Sequence, residues 1–323
     1  MIRSKLGFMA VCAWLSTPAL AAGEYTELTA SGGVINWTKA AVEAGGFGAA
    51  PEDKNPSLAP MLACRAAMVD AQRNLLESTK GARVDAETTI DNYVLVSDRV
   101  KSVVQGTIKQ AKLIKREPQS DGKTCKVVLQ AALEGPVVKS IYDDKGRQIS
   151  WLPSNVIEWF SNISVSLLPQ AHAQSESEPD NWMTRIEVRL DSLENMLYSV
   201  GSLDIVARDQ KEPTGLVIDA RGSRFIPSLS PRVRASEGAI LYPTAKDNGA
   251  EKSSGRLVSL FASDVDFALK HPRVGERPLL VKATGTYQNV PTDIVISDVA
   301  VAATQKLVAN DNFATAGVII VLD

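Results

Sequence analysis

The chain has 323 residues, 45% of them hydrophobic, and a formal net charge of −2. That length suits about two domains, and the apolar fraction supports a sizeable buried core and excludes wholesale disorder. The near-neutral balance, without a block of like charges, speaks against nucleic acid as a partner.

Residues 1–21 read as a signal peptide. Arg3 and Lys5 are followed by an apolar run from Leu6 to Leu15, then by Pro18 and the small-residue pattern Ala19-Leu20-Ala21. Basic, apolar, small is the order that export machinery reads. The run is too short to stay in a bilayer as an anchor. Cleavage is expected after Ala21, leaving an exported protein that is soluble or peripherally attached. Cys12 lies inside the apolar run behind Val11, a poor context for lipid attachment.

Residues 22–150 read as one α+β domain. "GGVINWTKAAVEAGGFGAA" has the texture of a strand ending in a Gly-rich turn at Gly45–Gly48. "NPSLAPMLACRAAMVDAQRNLLESTKG" predicts a helix, with Ser57 as cap, Pro60 in the first turn and Gly81 at the end. Its apolar stripe is Met61, Cys64, Met68, Ala71 and Leu75. A shorter helix is expected over "SDRVKSVVQG", capped by Ser97. A hairpin follows, with "GTIKQAKLIKRE" and "KTCKVVLQAAL" flanking Asp121-Gly122. Cys125, Val127, Leu129, Ala131 and Leu133 share one face of its second strand. The expected product is an antiparallel sheet with helices on one face.

Residues 151–181 begin apolar and aromatic and end as a polar, acidic linker. Within 182–202, Met183, Ile186, Leu190, Leu193, Leu197 and Val200 recur at heptad spacing. Such a seam serves self-association. Val188 and Met196 lie off it, however, and widen the apolar face toward that of a helix packed on its own domain. Residues 203–323 form a second domain. Strands are expected in "TGLVIDARG", "GAILYP", "RPLLVKATGTY", "TDIVIS" and "AGVIIVLD", with a helix in "SGRLVSLFASDVDFALKH", at least from Ser263, and another after Ser297. The expectation is a mixed sheet with helical cover.

Chemistry-bearing residues are sparse. Of the two histidines, His172 falls in the linker and His271 at a predicted helix end, where the dipole favours a cation. No metal-ligand spacing and no CxxC motif occurs, so neither a metal nor a cofactor is expected. "GGFG" lacks the Lys-Ser/Thr of a phosphate loop and reads as a turn or bulge. In "VIDARG", Asp219 at a strand end and Arg221 two residues on are expected to pair as a structural salt bridge. Cys64 and Cys125 sit on stripes that can face each other, which makes them disulfide candidates; two buried free thiols are the alternative.

The stretch from Ala63 to Leu133 adds a resemblance. "ACRAAMVDAQRNLLESTKGARVDAETTIDN", "VKSVVQGTIKQAKLIKRE" and "DGKTCKVVLQAAL" present an Ala-rich helix ending in Leu-Leu, a Gly, a Thr-Thr strand, a Val/Gly/Ile step and a final hairpin strand. The pattern resembles the LPP-type family of small bacterial outer-membrane lipoproteins, which includes the flagellar protein FlgP. It covers about a third of the chain. The second half looks like a module of exported bacterial proteins of this kind. The resemblance implies a non-catalytic, periplasmic protein, peripheral to the outer membrane, with protein partners and homo-oligomeric assembly. The chain departs from the family in lacking a lipobox, so lipid anchoring does not carry over. The sequence therefore points to a structural or assembly component of the cell envelope, flagellar or otherwise. The rival readings are a periplasmic module binding a small ligand or peptidoglycan fragment, and a periplasmic hydrolase using Asp219.

Overall fold

The computed structural model describes residues 23–52, 57–150, 212–244, 254–310, 313 and 317–323, the side chains of 145–150 excepted. Two sheets and six helices among these residues make an α+β fold of two domains. The N-terminal sheet contains β1 (Thr26–Leu28), β2 (Val34–Asn36), β3 (Ala41–Ala49), β4 (Lys112–Pro118) and β5 (Thr124–Ala132). Its order is β1-β2-β3-β5-β4, with every neighbour antiparallel. On β5, Cys125, Val127, Leu129 and Ala131 are buried while the residues between them are not, the two-residue alternation of a sheet covered on one face.

Helix α1 (Ala59–Lys80) supplies the cover. Gly45–Gly48, expected as a turn, instead runs through the body of β3. The reason is the closeness of the helix. A Cβ on Gly46 would stand 2.1 Å from the Ala71 nitrogen, and one on Gly48 would stand 2.2 Å from the Ala67 nitrogen. Strand glycines thus face helix alanines, and the buried face of α1 is Ala59, Ala63, Cys64, Ala67, Ala71 and Leu75. This corrects the predicted stripe, for Met61 is 56% exposed. The expected cap also moves: the N-cap position falls on Leu58, without a side-chain capping bond, while Pro60 does lie in the first turn.

Three further helices complete this domain. Thr89 caps α2 (Ile90–Val96), so the Thr-Thr pair expected as a strand forms only a bridge between Arg83 and Thr89. Helix α3 (Asp98–Lys109) starts as expected at Ser97, whose hydroxyl accepts from the Val100 N–H. It extends to Lys109, which shortens the first hairpin strand to β4. The hairpin turn is as read: Gly122 takes a left-handed φ of 63°, and Asp121 Oδ1 accepts the N–H groups of Lys123 and Thr124. Helix α4 (Pro136–Ser150) follows.

The C-terminal sheet has order β8-β7-β11-β10-β6-β12-β9. Its strands are β6 (Gly215–Asp219), β7 (Arg232–Arg234), β8 (Ile240–Tyr242), β9 (Ser259–Ala262), β10 (Pro278–Thr286), β11 (Asp293–Ile296) and β12 (Val318–Val321). Parallel and antiparallel pairings mix, as expected. Every residue of β6, β9 and β12 is buried. Parallel strands covered on both faces read as unbroken apolar runs, so "SLFA" has no period that sets it apart from the helix expected there. Helix α5 (Val265–Lys270) begins close to Ser263, as expected, with Asp264 as its cap, whose carboxylate accepts the Phe267 N–H at 2.7 Å. Helix α6 (Asp298–Ala309) follows Ser297 as predicted.

The domains pack directly on each other and share one continuous apolar core. Trp37 meets Phe261 edge-on at 5.7 Å between ring centroids. Across the junction, the Tyr142 hydroxyl donates to the Leu229 carbonyl at 2.5 Å, and the Leu229 and Ser230 N–H groups donate to Arg83 and Val84 carbonyls at 2.9 Å. The linker within 151–181 and the heptad residues Met183, Ile186, Leu190, Leu193, Leu197 and Val200 lie outside the described residues. Among those described, no helix is long and apolar enough to cross a membrane.

Candidate functional site

Where the loop after α1 meets the outer strands of the C-terminal sheet, the junction opens into a cleft of about 320 Å³. The loop is set by Asp85, whose Oδ1 accepts the Glu87 and Thr88 N–H groups and, at 2.7 Å, the Thr88 hydroxyl. Glu87 is thereby placed on the cleft wall. Opposite stands β7, whose alternation buries Val233 and brings Arg232 and Arg234 into the cleft lining.

Arg234 is fixed on three sides. Its Nε donates to Asp293 Oδ2 at 2.7 Å, its Nη1 donates to the Gly238 carbonyl at 2.7 Å, and its guanidinium stacks 4.8 Å from the Tyr287 ring centroid. Gly238 has φ of 99°, and a Cβ there would stand 2.3 Å from the Tyr287 hydroxyl. Arg232 reaches the same carboxylate only at 3.7 Å, and its side chain is 46% exposed. Its fork of donors therefore remains open to a carboxylate or phosphate in the cleft. Gln288 and Asn289, on the turn after Tyr287, take left-handed φ values of 47° and 62°. For residues with a Cβ this conformation is costly, and it persists where surrounding contacts impose it. The cleft thus combines a held arginine–tyrosine wall, one available guanidinium and an acidic rim, the means of gripping a small polar ligand.

The residues expected from sequence lie elsewhere. Cys64 and Cys125 join α1 to β5, with an S–S distance of 2.04 Å. Asp219 ends β6 with its side chain only 1% exposed. Arg221 turns back to meet it as a fork, Nε to Oδ1 and Nη2 to Oδ2, each at 2.8 Å. Burial by itself would raise the Asp219 pKa, but Arg221's hydrogen bonds and charge outweigh it and hold the carboxyl below its ordinary range. His271 departs from expectation. Burial, helped by the Arg273 charge, pushes its pKa down, so the imidazole favours the neutral form. Its Nδ1 accepts the Arg273 N–H at 3.1 Å. His172 lies outside the described residues. Among the described residues, no group of three His, Cys, Asp or Glu is placed to hold a metal ion.

Sequence reasoning missed Arg232, Arg234 and Asp293. The signal was present in "RVR", a charged alternation too short to register as a strand, and in an aspartate opening the apolar run "IVI".

Comparison with known proteins adds one similarity. The family model for the second domain of Treponema pallidum Tp0624 matches residues 215–323, which span β6 to the end of the chain. No curated protein matches the chain.

Proposed function

We propose that this is an exported, non-catalytic protein of the cell envelope that acts by binding, as a structural or assembly component in the manner of the LPP-type proteins its first domain resembles. The observation that carries this reading is the Cys64–Cys125 pair, because a disulfide joining two elements of a core persists in an oxidising compartment. The signal-type N-terminus agrees with it, and the bidentate engagement of Asp219 by Arg221 suits a structural ion pair better than an acid or base.

Cell fractionation with N-terminal sequencing tests the proposal. The envelope or periplasmic fraction should yield a chain starting at Ala22. An intact Met1, or a lipid-modified cysteine, would overturn the compartment and the peripheral attachment. The Asp219→Asn variant tests the absence of catalysis: any loss of function should track loss of stability. A fully stable variant without function would restore the hydrolase reading. Self-association through the heptad seam is tested by Leu190→Asp together with Leu197→Asp. Lower mass in sedimentation with both domains folded supports it; unchanged mass or global unfolding refutes it.

A second reading, a module for a small ligand or peptidoglycan fragment, is favoured by the cleft and its open Arg232. Soluble peptidoglycan fragments should bind wild type, and Arg232→Gln should abolish binding without altering the thermal midpoint.

A further inference from the structure

The five-stranded sheet ends on β4, and among the described residues no strand pairs with that edge. Charge gathers there. Residues 109–126 contain six lysines and arginines against Glu117 and Asp121 alone, in a chain whose formal net charge is −2. One of these cations is answered, Lys115 by Glu117 at 2.7 Å. Lys109, Lys112, Arg116, Lys123 and Lys126 make no ion pair among the described residues. The cations surround apolar side chains that ordinarily would be covered. Leu113 and Ile114 are each 44% exposed on β4, and Phe47, on the adjoining open face beneath Lys126, is 65% exposed.

A bare edge invites another strand, but this one is guarded against it. The pairing with β5 shifts register between Leu113 and Lys115, which places Ile114 at a bulge. Pro118 ends the strand without an N–H to donate, and charges stand along it. What remains attractive is an apolar rim ringed by cations. That combination suits a surface with negative charge outside and hydrocarbon just beneath.

We propose that the β4 edge seats the protein on an anionic lipid bilayer, with Lys112, Arg116 and their neighbours on headgroup phosphates and Leu113 and Ile114 at the acyl boundary. The proposal rests on the envelope reading and gives the protein a direct means of peripheral attachment.

Vesicle sedimentation tests it, using the purified protein with phosphatidylcholine vesicles that contain or lack phosphatidylglycerol. Binding is expected to the anionic vesicles only. It should fall with salt, since the screening length shrinks from about 8 Å at 0.15 M to about 3 Å at 1 M. Each cation at such a surface strengthens binding about fivefold. Lys112→Gln with Arg116→Gln should therefore weaken it about twenty-five-fold. Lys270→Gln with Lys306→Gln, both exposed in the other domain, should leave it unchanged. Far-UV circular dichroism checks that both double variants stay folded. No binding, equal binding to neutral vesicles, or equal loss in the two double variants overturns the proposal. So does self-association of wild type that the β4 variant abolishes without any vesicle binding, which would assign the edge to a second copy. A protein found in the envelope that ignores vesicles sinks this inference and leaves the envelope reading standing.

Discussion

Asp219 shows how one side chain sets a pH limit. Its carboxylate is buried and held by two charge-assisted bonds from Arg221. Such bonds, with Arg221 itself 44% exposed, contribute about 1–2 kcal/mol. Asp219→Asn should lower unfolding stability at neutral pH by that amount. Because the folded-state pKa is depressed, the contribution is complete above the ordinary aspartate value of 3.8 and is lost as pH falls through the lower folded value. Urea unfolding of wild type and variant should thus converge in acid; a gap constant with pH would show that the ion pair contributes nothing. Gly46 is a second single-residue constraint, this time steric. A methyl group there collides with helix backbone, which cannot rotate aside. Gly46→Ala should cost about 3 kcal/mol by overpacking, measured by thermal or urea unfolding. A neutral result would mean that α1 can retreat from β3.

At the scale of elements, α1 and the β3–β5 pair form the frame of the first domain, and the disulfide fastens helix to strand. The bridge closes a separation of 61 residues. In the chain-entropy model that constraint is worth about 4 kcal/mol. Thiol titration of denatured, unreduced protein should find neither Cys64 nor Cys125 free. Replacing both by Ala should remove up to that stability while the fold persists at low temperature, because Ala63, Ala67, Ala71 and Leu75 still fill the contact. The facing of these two stripes was legible in sequence, since both follow fixed periods. The glycine register was not. "GGFG" has the composition of a turn, and only a helix laid across it explains why a strand lacks side chains at those points.

At the scale of the molecule, the two domains are locked together by more than apolar contact. Glu134 Oε1 accepts the Leu257 N–H and Arg273 Nη1, each at 2.9 Å, and the Arg273 side chain is only 6% exposed. Removing the carboxylate leaves a buried cation without its counter-ion, a change that costs about 3 kcal/mol or more. Glu134→Ala should therefore destabilise both domains at once. Hydrogen exchange is the direct readout: slowly exchanging amides in β5 and in β6 should lose protection by the same factor. Loss confined to one sheet would show that the domains unfold separately. The interdomain cleft belongs to this scale too, for Glu87 and Arg232 come from different domains and line one cleft only because the cores merge.

Sequence by itself determined the local elements whose signals are local. Hydrophobic period and capping residues placed most of α1, α3, β5, β6 and α6, and the spacing of Asp219 and Arg221 allowed their pairing. Those signals act over one or two turns, or a few strand residues, and need no knowledge of the rest of the chain. Tertiary structure decided what depends on partners far away in sequence. It made β9 a strand rather than a helix, because "SLFA" is buried against parallel β12. It assigned Gly46 and Gly48 to helix contact, turned His271 toward its neutral form, and brought Arg232 to a cleft opposite Glu87. Each of these is fixed by burial and neighbouring charge, quantities that exist only once separate segments have packed.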